Sequence, residues 1–271
     1  MHATLTDLYT YPVKSCGGIR HDRVRMDTTG LADDRHWMLV RPQGRFVSQR
    51  ELPRMALIGV SIADDVLTLN APGRVPLRVP RLASVATLDV SVWKFNGRGI
   101  DCGDEAAAWI SEFLETPLRL VRFDPAAPRV CSPEWTPGAN AVTEFSDGFP
   151  MLVISRASLA ELNSRLPKAL PMERFRPNLV LDGVAAFDED RIHELRGEGV
   201  TIRIVKPCTR CSITTTDQQS GERDGVEPLV TLKEFRFDRA LLGVTFGQNA
   251  IPIDGVGLEL RAGQDFEIVW K

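Results

Sequence analysis

Lys206-Pro207-Cys208-Thr209-Arg210-Cys211 runs directly into Ser212-Ile213-Thr214-Thr215-Thr216-Asp217. A C-x-x-C pair of the thioredoxin kind opens a helix, whose N-terminus stabilises the thiolate. Here residues 213–216 are β-branched, a composition that favours a strand. The stretch therefore points to a β-rich fold, and a dithiol redox pair is the weaker of its readings. As half of a zinc site the pair needs two further ligands. Cys16, Cys102 and Cys131 stand alone, and His2, His21, His36 and His193 are scattered. Two buried structural thiols are the plain alternative. Arg210 beside Cys211, and Lys206 five residues before it, favour a reactive site, because cations stabilise the thiolate that ligates metal.

Outward from this stretch the chain reads as short strands between turn signals. Residues 5–13 are β-rich. Segments 37–40 and 45–49 flank Pro42-Gln43-Gly44, and 55–62 and 66–69 flank Asp64-Asp65, which predicts two hairpins. After Val256, Leu258, Leu260, Phe266, Ile268 and Trp270 alternate as two closing strands. Strands spaced by about 8–12 residues predict a barrel or sandwich. Two helices interrupt them. In 103–115, Trp109, Ile110, Phe113 and Leu114 recur at helical spacing, with Asp104 and Glu105 in the first turn. In 158–165, Leu159 and Leu162 repeat toward Leu166, with Ser155 or Ser158 as the cap. The fold class is mainly β with a few helices (α+β). Residues 124–138 are Pro-rich, a boundary or a long loop whose second half could face a substrate.

Bulk properties narrow the function. With 271 residues there is room for two modest domains or one large all-β domain. A net charge of −3 gives no electrostatic footprint for nucleic acid. No apolar run reaches the ~18 residues of a transmembrane helix, and the N-terminus lacks a signal-peptide pattern, so no membrane partner and a cytoplasmic location are expected. Five cysteines, an odd number thinly spread, read as reduced thiols.

Three more segments share one character. Tyr11-Pro12-Val13-Lys14-Ser15-Cys16-Gly17-Gly18, Asp33-Asp34-Arg35-His36-Trp37 and Glu173-Arg174-Phe175-Arg176-Pro177-Asn178 are loop–strand junctions carrying donors for anionic oxygens. Taken singly, each is a solvated surface cation. Taken together with LVISRASLAELNSRL (152–166), the KPCTRCSITTTD stretch and FGQNA (246–250), they resemble the molybdenum-cofactor sulfurase C-terminal (MOSC) family. The likeness covers nearly the whole chain and falls in the branch of the YcbX-like and mitochondrial amidoxime-reducing component-like proteins.

That resemblance implies an N-terminal β-barrel region in 1–122 and a MOSC β-barrel in 123–271, with the first strand and Arg35 reaching into the site. It implies a molybdenum cofactor (Mo-molybdopterin) whose metal is ligated by Cys211, the catalytic position, while Cys208 packs the loop. Lys14, Ser15, Arg35, Arg176, Asn178, Thr209 and Arg210 match positions that hold the pterin and its phosphate. The loop Asp147-Gly148-Phe149 matches a phosphate-contacting loop, and Asn249 matches a cofactor contact. The chemistry agrees: Arg176 offers a planar fork for phosphate, Asn178 a donor and acceptor for a heterocycle edge, and Cys211 a soft thiolate. The implied activity is reduction of N-hydroxylated small molecules, N–OH to N–H. Relatives often continue into a [2Fe–2S] domain, whereas this sequence ends at Trp270-Lys271 and shows neither a C-x4-C-x2-C cluster pattern nor a G-x-G-x-x-G fingerprint. Electrons are therefore expected from a separate flavoprotein, ferredoxin or cytochrome. A cofactor carrier or sulfur-transfer protein, and a thiol–disulfide oxidoreductase using Cys208 and Cys211, are the alternatives. The sequence assigns no proton donor.

Overall fold

The first strand, His2–Thr10, pairs antiparallel with Leu179–Asp182 on one side and with Gln264–Trp270 on the other. In the computed structural model, which describes residues 1–81 and 86–271, that double pairing closes a barrel. Around it the order is Met151–Ser155, Leu179–Asp182, His2–Thr10, Gln264–Trp270, Ile192–Gly197, Val200–Thr209 and Gly243–Asp254, which returns to Met151–Ser155. One junction is parallel, Met151–Ser155 with Leu179–Asp182, and it needs a crossover. Helix Arg156–Asn163 supplies part of it. Ser155 caps that helix, its Oγ accepting from the Ser158 amide at 3.0 Å. Ala3, Leu5, Leu8, Val153, Leu179, Leu181, Ile202, Ile204 and Phe266 share one buried core.

A second group of strands precedes most of the barrel in sequence. Trp37–Val40, Arg119–Phe123, Phe95–Asp101 and Thr87–Val92 form one sheet, and Gly59–Ala63, Val66–Asn70 and Leu77–Pro80 another. Helix Asp104–Leu114 lays Ala106, Trp109, Ile110, Phe113 and Leu114 against Met55, Leu67, Leu69 and Leu120. The chain between these groups is shared. Arg23–Asp27 pairs with Glu259–Arg261, and Val24, Met26 and Leu31 enter the barrel core.

Four local expectations shift. Residues 213–216 do not form a strand: Ser212–Thr215 is a 3-10 turn, in which the Thr214 and Thr215 hydroxyls donate to Cys211 O at 3.0 Å and Ser212 O at 2.9 Å. Threonine hydroxyls thus bond back to the local backbone and displace the extended form. The strand expected over 55–62 starts at Gly59, because Pro53 opens a 3-10 turn through Leu57. Segment 45–49 makes only single bridges, Phe46 to Val40 and Arg45 to Ser91. Of the two closing strands, only Gln264–Trp270 joins the barrel. The Asp64-Asp65 hairpin is present, and both residues have the positive φ (51° and 58°) that such a tight turn uses.

Gly44 fixes how the 45–50 segment meets the 87–101 hairpin. Its φ is +82°, its carbonyl accepts from the Ser91 amide at 3.0 Å, and an added Cβ would lie 1.9 Å from the Asp89 carbonyl oxygen. Backbone cannot swing aside as a side chain can. Gly44→Ala is expected to cost about 2–3 kcal/mol, combining left-handed strain and overpacking. Thermal denaturation should show a midpoint lower by roughly 5–10 °C; an unchanged midpoint contradicts this account of the turn.

Candidate functional site

Strand direction gathers the loop junctions. His2–Thr10 runs antiparallel to Leu179–Asp182, so the end of the first and the start of the second lie at the same end of the barrel. Met151–Ser155 runs parallel to Leu179–Asp182 and starts there too. That end therefore carries Tyr11–Cys16, the 147–150 loop and the Phe175–Asn178 segment. Arg35 joins them because its amide donates to Tyr11 O at 3.0 Å. All twelve residues singled out in the sequence line one cleft: Lys14, Ser15, Arg35, Asp147, Gly148, Phe149, Arg176, Asn178, Thr209, Arg210, Cys211 and Asn249. Including the solvent at its mouth the cleft encloses about 810 Å³.

The floor is a stack of cations. The Arg35 and Arg176 guanidinium carbons lie 4.5 and 4.1 Å from the Tyr11 ring centre. Both arginines, and Ser15, sit in left-handed backbone (φ 51°, 57° and 68°), a conformation that costs energy in a non-glycine residue. Arg35 donates to Asp34 Oδ2 at 2.5 Å and to Asn178 Oδ1 at 3.0 Å. Arg176 donates to Cys16 O at 2.7 Å, yet its Nη2 is buried without a partner among the described residues. Burial pushes the Arg176 pKa down, and the nearby Arg35 charge adds to the shift. Lys14 is also buried, its Nζ donating to Phe145 O at 2.7 Å and Asp147 Oδ1 at 2.6 Å. Burial lowers the Lys14 pKa even against Asp147. Against the desolvation of the cleft mouth, Lys14 and the Trp93 indole N–H hold Asp147 below the carboxylate range, although its side chain stays 64% exposed. Behind the loop, Arg129 donates to the carbonyls of Glu144, Ser146 and Asp147.

The cysteines separate. Burial pushes the thiols of Cys16 and Cys102 up to about 12 and that of Cys131 to about 11, so these stay protonated. Cys208 and Cys211 are half-buried on the cleft wall. Arg210, read from the sequence as the cation beside Cys211, aims its Nη1 at Cys208 Sγ (3.0 Å) and its Nη2 at Phe175 O (2.6 Å). Lys206 lies over the Trp135 ring at 4.9 Å. Adjacency in sequence therefore does not put either cation on Cys211: Arg210 and Cys211 lie just past the strand Val200–Thr209, and the Cys208 and Phe175 contacts set the Arg210 direction. Cys208 packs against the Leu152, Ile154, Phe175 and Phe246 cluster. Asn178 likewise differs from the reading of an open heterocycle edge. Its Oδ1 accepts from Leu152 N and Arg35, and its Nδ2 donates to Tyr9 O, so it orients Arg35. Asn249 Nδ2 reaches Lys206 O at 3.2 Å.

Several lining residues carried no sequence signal: Phe46, Ser48, Arg50 and Trp93. They come from the preceding sheets and reach the cleft only through tertiary packing. The loop after Cys211 is held to the same side. Arg223 donates to Ser212 O at 2.6 Å, Thr215 Oγ1 at 3.0 Å and Arg50 O at 2.7 Å. Gln49 and Gln218 exchange amide hydrogen bonds of 3.0 Å, and Gln49 also donates to Ser15 O.

Comparison with known proteins agrees with this architecture. Residues 2–117 match the MOSC N-terminal beta barrel domain and residues 140–265 the MOSC domain. The chain belongs to the MOSC-domain family, in the form that carries the N-terminal barrel domain. It is 38% identical over 242 residues to mitochondrial amidoxime reducing component 2 of Bos taurus, a match covering 86% of this chain and 72% of that protein. Against mitochondrial amidoxime-reducing component 1 of Homo sapiens it is 36% identical over 264 residues, covering 90% and 77%. Among the described residues no helix is long and apolar enough to cross a membrane.

Arg174, the neighbour of Arg176 in the same motif, does a different job. Its side chain is 1% exposed and pairs with Asp217 at 3.1 Å and Asp224 at 3.3 Å, clamping the loop that follows Cys211. Arg174→Ala should destabilise the chain by about 2 kcal/mol, less than a fully buried pair because both carboxylates are partly solvated. Hydrogen exchange should rise across 211–224 and stay unchanged in His2–Thr10. Backbone and side-chain hydrogen bonds hold Asp217 below the ordinary carboxylate pKa, and Lys168 with Arg174 does the same for Asp224. The stabilisation is thus fully present above about pH 4 and is lost as pH falls through the depressed values. Wild-type protection in the loop, exchange corrected for the intrinsic rate at each pH, should fall below that pH; an unchanged protection factor defeats the clamp.

Proposed function

We propose that the cleft holds a molybdenum cofactor and that the chain reduces N-hydroxylated small molecules with electrons from a separate donor protein. The observation that carries this reading is the unneutralised charge in a formed wall: a buried Arg176 Nη2 and a buried Arg210 Nε without hydrogen-bond partners among the described residues, in the cleft that the half-buried Cys211 also lines. Such a site fits a ligand with both an anionic phosphate and a soft metal. Arg176 and Arg210 would hold the phosphate, Lys14 and the 147–149 loop would border it, and Cys211 would supply the thiolate ligand. Ser15, Arg35, Thr209 and Asn249 would face the pterin, with Asn178 keeping Arg35 in place. When bound, the cofactor supplies a two-electron change by which N–OH, two electrons and two protons become N–H and water. The chain's part is orientation, charge and exclusion of bulk water.

We propose the divisions 1–122 and 123–271 for the two regions, with the first strand lent to the second. We propose a cytoplasmic location, a reducing compartment that would keep Cys211 out of disulfides.

The test is direct. Purified wild type should contain molybdenum and pterin and reduce an amidoxime with dithionite-reduced viologen, while NADH or NADPH alone supports no turnover. Cys211→Ser should lose the activity and Cys208→Ser keep most of it; equal loss in both, with a dithiol signal, favours the thiol–disulfide reading. Arg176→Ala should bind pterin roughly tenfold to a hundredfold more weakly, the loss of one charge-assisted hydrogen bond. The exposed Arg23→Ala is the control, and equal pterin retention in the two variants defeats the assignment.

A further inference from the structure

Trp93 stands at the mouth of the cleft in a conformation that an indole-bearing residue rarely takes. It begins the tight turn between Thr87–Val92 and Phe95–Asp101 with φ +56°, where glycine or asparagine would turn without strain. Its side chain is 49% exposed, the half-open indole of a large residue on the rim of a binding site. Three contacts fix it there. The indole N–H donates to Asp147 Oδ1 at 2.9 Å, across the cleft mouth. The Arg50 guanidinium carbon lies 4.0 Å from its ring centre, and the Phe46 ring 5.2 Å away. Strain kept in place by surrounding contacts, beside a candidate site, points to a functional use of the side chain.

What already rests on Trp93 indicates what it can receive. The Arg50 guanidinium is a planar, delocalised carbon–nitrogen group, and an N-hydroxylated amidine has the same flat framework. An aryl ring attached to that group extends the plane across the half-exposed indole in the offset geometry that aromatic pairs prefer, while the tilted, buried Phe46 ring backs the indole. An alkyl substituent gains little there. Of the twelve residues that match the cofactor site only Phe149 is aromatic, and it packs against the Cys131, Ala141 and Ile251 cluster.

We propose that Trp93 is a specificity-determining residue, stacking on planar aryl N-hydroxylated substrates, with Arg50 and Phe46 as the residues that position its ring. The assignment rests on the reductase reading above and names the substrate shape that this site prefers.

Steady-state reduction of benzamidoxime and of acetamidoxime by the cofactor-loaded chain, with reduced viologen as donor, tests it. Trp93→Ala should raise the benzamidoxime KM roughly fivefold to tenfold, the range of one aromatic contact, with the loss carried by KM and not by kcat. The acetamidoxime KM should move less than twofold. Trp93→Phe, which lacks the N–H to Asp147 but keeps an aromatic face, should restore most of the benzamidoxime KM. Equal shifts for both substrates, a loss carried by kcat, or failure of phenylalanine to rescue overturns the stacking role. Calorimetric titration with benzamidoxime separates this claim from the reductase reading. If wild type reduces neither compound, the activity is wrong, and the stack still stands only where Trp93→Ala weakens benzamidoxime binding by the same factor. Unchanged affinity, or no binding to wild type, removes it.

Discussion

Everything in this molecule depends on the strand His2–Thr10 closing a sheet built otherwise from residues after 150. It is the seventh strand of the barrel, bonded to Leu179–Asp182 and Gln264–Trp270. Without it both neighbours would present open edges, with unpaired amides and carbonyls. Closure also has a chemical consequence. The chain leaving Thr10 must turn at the barrel's end, and that turn carries Tyr11, Lys14 and Ser15 into the cleft. The Tyr11 ring that both arginines lie against thus arrives from the start of the chain, while Arg176 arrives from the middle and Cys211 from the last third.

The cleft concentrates positive charge where water is scarce. Arg35 is matched by Asp34 and Lys14 by Asp147, but Arg176 and Arg210 donate to neutral carbonyls and a thiol and leave buried nitrogens without partners. Burying an unpaired guanidinium is costly, and a chain keeps it only where something else repays the cost. An anionic ligand would do so, and backbone strain at Ser15, Arg35 and Arg176 has the same logic, since it fixes donor directions in advance.

Much of this was legible in the sequence, and the failures have physical causes. Helix Asp104–Leu114 follows from four apolar residues at helical spacing, and the Asp64-Asp65 turn from its residue types, because both are local. The twelve cleft residues were recognised by motif resemblance, since neither spacing nor composition tells which junctions share one end of a barrel. Threonine hydroxyls bonding back to Cys211 and Ser212 turned a β-branched run into a 3-10 turn, an outcome that propensity alone does not distinguish. The direction of Arg210 toward Cys208 could not be read, because Arg210 lies just past the strand and its contact with Phe175, distant in sequence, decides it. Arg50 and Trp93 carry no motif, and only the packing of the preceding sheets brings them to the cleft rim.

The central claim is that Cys211 places a sulfur on a metal held in this cleft. X-ray absorption at the molybdenum edge measures that contact without requiring a substrate, a donor or turnover. Wild-type protein should show molybdenum surrounded by sulfur, and equally loaded Cys211→Ser should show one sulfur neighbour fewer, while Cys208→Ser matches wild type. An identical sulfur shell in wild type and Cys211→Ser would contradict the account.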